Sequence, residues 1–127
     1  MLSARKYSAV VAALVLCGAL AVAGIALAAA AKTKVTIEAQ QGGFFGYVHT
    51  KKSASEKCEN GRKVVLYKQK GSEQKPRQDT KIGTDIAQPN GPDSMWSINT
   101  NKSGKFYAKA PKKPGCAAGF SDTVHSQ

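Results

Sequence analysis

Hydrophobic and polar positions divide the chain into two unlike parts. Residues 9–31, AVVAALVLCGALAVAGIALAAAA, hold no charged side chain, whereas from Lys34 onward apolar and polar residues alternate in short runs. Alternation with a period of two marks a strand that buries one face. No stretch of eleven or more residues in the second part has helical spacing. Strands are predicted over 34–39, 44–49, 62–69, 81–86, 95–99, 105–109 and 120–126. The clearest is RKVVLYKQ, which sets Val64 and Leu66 on one face and Val65 and Tyr67 on the other. Glycine, proline and asparagine punctuate the runs at Gly42-Gly43, Gly71 to Pro76, Pro89-Asn90-Gly91-Pro92, Asn101 to Gly104 and Pro111 to Gly115. Thr50 to Gly61 reads as a polar, charged loop. The pattern predicts an all-β fold, a single antiparallel β-sandwich of about seven strands over residues 32–127. Its core is expected to gather Val35, Ile37, Val64, Leu66, Ile98 and Phe106 around Trp96, the only tryptophan.

The uncharged run has the order of a secretory signal: Arg5 and Lys6 precede it, and Ala26-Leu27-Ala28 and Ala29-Ala30-Ala31 offer small side chains to a signal peptidase. At about 23 residues and 1.5 Å per residue, it is also long enough to cross a bilayer core of about 30 Å as an apolar helix. Residues 1–31 are therefore expected to be a signal peptide or an uncleaved membrane anchor. Both place residues 32–127 outside the cytoplasm, in the cell envelope or the medium. Cys17 follows Leu16 and has more of the apolar run behind it, which does not fit a lipoprotein signal. Beyond residue 31 only Cys58 and Cys116 remain, and an exported domain with two cysteines is expected to pair them. The loop so closed, about 59 residues, makes the bond worth roughly 4 kcal/mol in the chain-entropy account. That matters in a domain too small to be secured by burial alone.

The order Gly61-Arg62-Lys63-Val64-Val65-Leu66-Tyr67, then Gly83-Thr84-Asp85, then Trp96, then Gly104-Lys105-Phe106-Tyr107-Ala108 resembles exported β-sandwich domains of the transthyretin-like and carboxypeptidase-regulatory-like group. It is also similar to secreted proteins of high-GC bacteria with a paired cysteine. The resemblance spans Lys34 to Ser126 and implies a transthyretin-like or immunoglobulin-like sandwich. Domains of this group are mostly structural or binding modules without catalytic residues. Pro89-Asn90-Gly91-Pro92-Asp93 is longer than the group's usual turn before the tryptophan, so strand pairing is expected to depart there.

Candidate chemistry is sparse. A nucleophilic triad needs a histidine beside Ser, Cys or Thr, yet only His49 and His125 exist and there is no Gly-x-Ser-x-Gly elbow. Phosphate-binding and dinucleotide-binding glycine loops are absent. The two histidines read as surface residues near strand ends rather than metal ligands, since a closed site wants about four donors. Asp85, Asn90 and Asp93 read as turn residues rather than calcium ligands. Asn101-Lys102-Ser103 has the form of a glycosylation acceptor. No catalytic, cofactor-binding or metal-binding residue is assigned, and the protein is expected not to be an enzyme.

Charge changes the picture most. The chain carries 19 basic and 8 acidic residues, a formal net charge of +11. Past residue 31 the cations are lysines except Arg62 and Arg77. Lysine is a hydrated point charge, whereas bidentate readout of bases or phosphates favours arginine, so specific nucleic-acid recognition is not expected. Loose adhesion to a polyanion is. Its candidate contacts are Lys51, Lys52 and Lys57, then Lys68 and Lys70, then Lys112 and Lys113. The partners available to an exported domain are anionic envelope polymers and lipid headgroups. Membrane contact is otherwise expected only through residues 9–31 if they are retained. The alternative is a binding module for a protein or carbohydrate, with Phe44, Phe45 and Tyr47 as exposed aromatics.

Overall fold

The computed structural model describes residues 29–127. Apart from residues 29–31, the expected signal or anchor segment lies outside the described residues. Ten short strands follow: β1 (Lys34–Val35), β2 (Glu38–Gln40), β3 (Gly43–His49), β4 (Lys63–Lys68), β5 (Thr80–Ile86), β6 (Gln88–Asn90), β7 (Asp93–Asn99), β8 (Gly104–Ala110), β9 (Gly119–Phe120) and β10 (Val124–Ser126). One sheet runs β1-β3-β7-β6 with β2 also on β3, and the other runs β10-β8-β4-β5 with β9 also on β8. All pairings between strands are antiparallel. The all-β expectation therefore holds, as two antiparallel sheets enclosing a shared core.

The surplus over seven strands has three sources. The expected first strand is divided, because β1 lies against Val48 and His49 while β2 lies against Gly43 to Phe45. The last is likewise divided into β9, beside Lys109 and Ala110, and β10, beside Gly104 to Phe106. The remaining strand, β6, lies where Pro89 and Asn90 suggested only a turn. It forms because Gln88 pairs with Met95 and Asn90 with Asp93 across a tight reversal at Gly91, whose φ is 69°. A proline is tolerated on this edge because its missing N–H faces no neighbour.

The break between β1 and β2 serves the core. In β3 the residues Phe44, Gly46 and Val48 face inward, and Gly46 stands opposite Trp96 of β7. A Cβ on Gly46 would lie 1.9 Å from the Thr36 carbonyl oxygen and 2.8 Å from Trp96 Nε1. Only glycine leaves space for the indole there, and Trp96 Nε1 donates to that same carbonyl at 3.1 Å. Thr36 is held in turn by its amide on Tyr47 O at 3.0 Å and by its hydroxyl, which accepts from Tyr47 N at 2.8 Å. Interrupting the strand thus leaves one carbonyl to satisfy a buried indole N–H, which would otherwise carry a desolvation cost. Around Trp96 pack Val35, Ile37, Val64, Leu66, Ile98 and Phe106, as expected from the alternation. Phe44 and Val48 join them, and the Phe44 and Phe106 rings lie 4.6 Å apart.

A smaller layer covers the outer face of the second sheet. Tyr67 and Tyr107 stack there with centroids 5.3 Å apart, and Tyr107 is fully buried. The polar stretch after β4 folds back over them, pinned by Asp79. Its carboxylate accepts from Tyr107 Oη at 2.6 Å, Lys70 N at 2.9 Å and Lys75 N at 2.7 Å. Burial pushes the Asp79 carboxyl up, but these bonds and the nearby Lys70 charge outweigh it and hold the group below its ordinary value. Burial and Asp79 together raise the Tyr107 phenol. A carboxyl depressed in the folded state contributes stability that is present above the ordinary carboxyl range near pH 4 and is lost as pH falls through the folded value. Protection of the Lys70 and Lys75 amides against hydrogen exchange is therefore expected to fall below about pH 4. Asp79→Asn should lack protection throughout, and protection that ignores both acid and the substitution would show that another contact pins this segment.

Candidate functional site

Strands β3 and β8 run toward one end of the sandwich, and β4 and β7 start from it. Two connections meet there: residues 50–62 after β3, and residues 111–118 after β8. The first is not the featureless loop its polarity suggested. It contains a 3₁₀ turn, Lys52–Ala54, and one helical turn, Ser55–Cys58, that carries Cys58 inward. Four residues are too few to show a helical period, which is why the sequence pattern is silent on it. Cys58 is bonded to Cys116 as expected, with Cα atoms 5.6 Å apart and both cysteines fully buried.

Arg62 anchors this end from within. It is 1% exposed, and its guanidinium donates from Nη1 to Cys58 O at 2.8 Å and to Thr33 Oγ1 at 3.2 Å. Nη2 donates to Ala117 O at 2.7 Å and to Pro111 O at 3.1 Å. A planar fork reaches four acceptors on three separate segments, a geometry that a lysine ammonium cannot reproduce. No carboxylate lies within ion-pairing distance of it among the described residues. Burial accordingly lowers its pKa from the ordinary value.

The disulfide also sets two lysine-bearing segments side by side. Lys51, Lys52 and Lys57 belong to the first connection and Lys112 and Lys113 to the second, and Lys113 Nζ donates to Lys57 O at 3.1 Å. Lys32 and Lys51 line one surface hollow with Ala29 to Ala31. Lys68 and Lys70 do not belong to this group. They lie at and beyond the far end of β4, about 17 Å along a six-residue strand. Lys68 there packs against Gly104.

The same end carries a cluster absent from the sequence-level assignments. His49 closes β3 and Asp93 opens β7, so the register sets them side by side, and His49 Nδ1 is hydrogen-bonded to Asp93 Oδ1. Glu59, 2% exposed, follows the helical turn, and the donor atoms of His49, Glu59 and Asp93 all lie within 4.8 Å of one another. Glu59 Oε2 accepts from Thr50 N at 2.8 Å and Thr50 Oγ1 at 3.0 Å. The expected strand ends at His49 and before Trp96 were the available signal for the first two. Nothing in the sequence marks Glu59, which arrives through the unforeseen helical turn.

Other candidates separate. His125 pairs with Lys105 near the start of β8, at the opposite end from His49. Asp85 Oδ2 accepts from Ser97 N at 2.8 Å, and Asn90 Nδ2 contacts Met95 Sδ, so Asp85, Asn90 and Asp93 each engage a different partner. Phe44 is not an exposed aromatic: it is 1% exposed and packed on Phe106, because alternation along β3 turns it inward. Phe45 and Tyr47, on the other face, stay half-buried. No family model, curated protein or solved structure matches the chain.

Proposed function

We propose that the protein is an exported, non-enzymatic β-sandwich module that holds anionic polymers or lipid headgroups of the cell envelope at its disulfide-closed end. The observation that supports this reading best is the joining of two lysine-bearing connections through Cys58–Cys116 and the Lys113 to Lys57 hydrogen bond. Five lysines on two joined connections, against the exposed carboxylate of Glu56, attract a polyanion without a unique contact, by long-range field and counterion release. The covalent bond fixes the two connections against each other, so binding need not order one backbone segment relative to the other. The finer fold belongs to the same proposal. With β1–β2 and β9–β10 each counted as one strand, eight strands remain, and their order resembles an immunoglobulin arrangement with strands A, B, E and D in one sheet and G, F and C in the other, where β5 adds a C′ strand beside C. Transthyretin-like domains are the second comparison. A protein or carbohydrate partner is the alternative reading, with Phe45 and Tyr47 as its remaining aromatic contacts.

Retention on an anionic matrix across a salt series tests the lysine reading. Wild type should be retained at low salt and released as salt rises. Lys52→Ala should change little, because the attraction is shared. Reversing Lys51, Lys52 and Lys57 together to glutamate should abolish most retention, while reversing Lys68 and Lys70 should leave most of it. Elution of wild type in the void volume at low salt, or equal losses from the two sets of reversals, would refute a site at the disulfide-closed end.

A further inference from the structure

Glu59 poses a chemical problem that the lysines do not solve. Its carboxylate is buried, yet it has no salt-bridge partner among the described residues; the only such pair there is His49 with Asp93. An ionised carboxylate removed from water is costly unless a cation or several donors compensate it. Thr50 supplies two neutral donors to Oε2, and no donor among the described residues reaches Oε1. That oxygen keeps contact with solvent, since the fully enclosed unpartnered side-chain atom among the described residues is Arg62 Nε, and it stands open beside an imidazole and a second carboxylate.

We propose that His49, Glu59 and Asp93 form a binding site for one divalent transition-metal ion of the zinc class. Zinc holds imidazole nitrogen and carboxylate oxygen at about 2.0–2.2 Å, which sets neighbouring donors about 3.3 Å apart in a tetrahedral site. The three donors here lie within 4.8 Å of one another, so small side-chain rotations bring them onto one ion. The ion takes the place of the proton between His49 and Asp93 and supplies the cation that Glu59 lacks. One imidazole with two carboxylates selects zinc, manganese or cobalt over calcium and magnesium, which favour all-oxygen sets. Thr50 fixes the Glu59 carboxylate from behind, as outer hydrogen bonds do for metal-ligating groups. His49, with 57% of its side chain exposed, gives the ion a path from solvent. Three protein ligands leave a fourth position for water or an incoming anion. This site neither requires nor implies polymer binding by the lysines.

Calorimetric titration of the purified full chain with zinc chloride, after chelator treatment and with the disulfide intact, tests the site. Imidazole resonances followed in parallel report which histidine responds. One zinc per chain is expected, with the His49 ring signals shifting and those of His125, at the opposite end, unmoved. Asp93→Asn should weaken binding by about tenfold or more, and His49→Ala should remove it. Glu59→Gln should weaken it as well. Because Glu59 also holds Thr50, its variant is scored only if circular dichroism shows the native fold; His49→Ala and Asp93→Asn touch side chains that reach solvent and decide the matter alone. Absence of zinc binding by wild type, or undiminished binding by both of those variants, would overturn the proposal and leave Glu59 as a hydrogen-bond acceptor for Thr50.

Discussion

Trp96→Ala is expected to lower stability by about 3–5 kcal/mol, the range for emptying an aromatic site in a packed core. Three features set the loss at this level. Trp96 is fully buried at the centre of the cluster that both sheets share. Its removal orphans the Thr36 carbonyl, the acceptor of the indole N–H. Gly46, opposite it, has no side chain with which to fill the void. Denaturant midpoints of wild type and variant measure the difference, since the slope reports surface exposed and the midpoint the stability. Wild-type emission should be blue-shifted and move to the red on unfolding. A solvent-like emission maximum in folded protein, or a loss below about 1 kcal/mol, would mean that the indole is not where the two sheets close.

The second large effect concerns the disulfide. Replacing Cys58 and Cys116 together with alanine is expected to cost about 2–5 kcal/mol. Part of this is the entropy of an unfolded chain relieved of a covalent loop between residues 58 apart. The rest is local. Arg62 depends on carbonyls from both joined segments, Cys58 O on one side and Pro111 O and Ala117 O on the other. If those segments part, a buried guanidinium loses its acceptors, and an uncompensated buried charge is among the more damaging changes a core can suffer. Intact mass with and without reduction establishes the bond, and denaturant unfolding of the double variant gives its worth. Two free thiols in protein from an oxidising compartment, or an unchanged midpoint, would remove the bond from this account of stability.

Much of the fold was legible because its signals are periodic. RKVVLYKQ became β4, and the alternation around Trp96 identified inward faces that the core reproduces. What escaped is aperiodic. The break at Thr36 is a tertiary event, imposed by an indole sixty positions away that needs an acceptor. Strand β6 escaped because proline and asparagine at 89 and 90 are turn formers by local chemistry, and only pairing with β7 overrides them. At the disulfide-closed end the cysteine pair followed from counting. In the cluster of His49, Glu59 and Asp93, strand ends hinted at the first and last members, and nothing marked Glu59 or the meeting of the three. They are joined by strand register and by a four-residue turn, neither of which leaves a spacing in the sequence.

The way the sheets end has a further consequence. On one side β5 passes through Ala87 directly into β6, so the chain itself carries over from one sheet to the other: Ala87 still bonds to Gly61 and Arg62, while Gln88 already pairs with Met95. On the other side Ala31 forms a parallel bridge with Cys116, and the Thr33 hydroxyl donates to Ala117 O at 2.7 Å. In the first sheet the open edges are three residues long: β6, where Pro89 offers no donor, and β2, which bears the charge of Glu38. In the second, β5 is a seven-residue edge, but its pairing with β4 shifts register between Leu66 and Tyr67 and it carries Lys81 and Asp85. Fibril growth needs a long, flat, unpaired edge on which another chain can template itself. Crowded copies would meet only edges that are short, lack a donor, or are charged and irregular, which sets close packing of this molecule apart from templated strand addition.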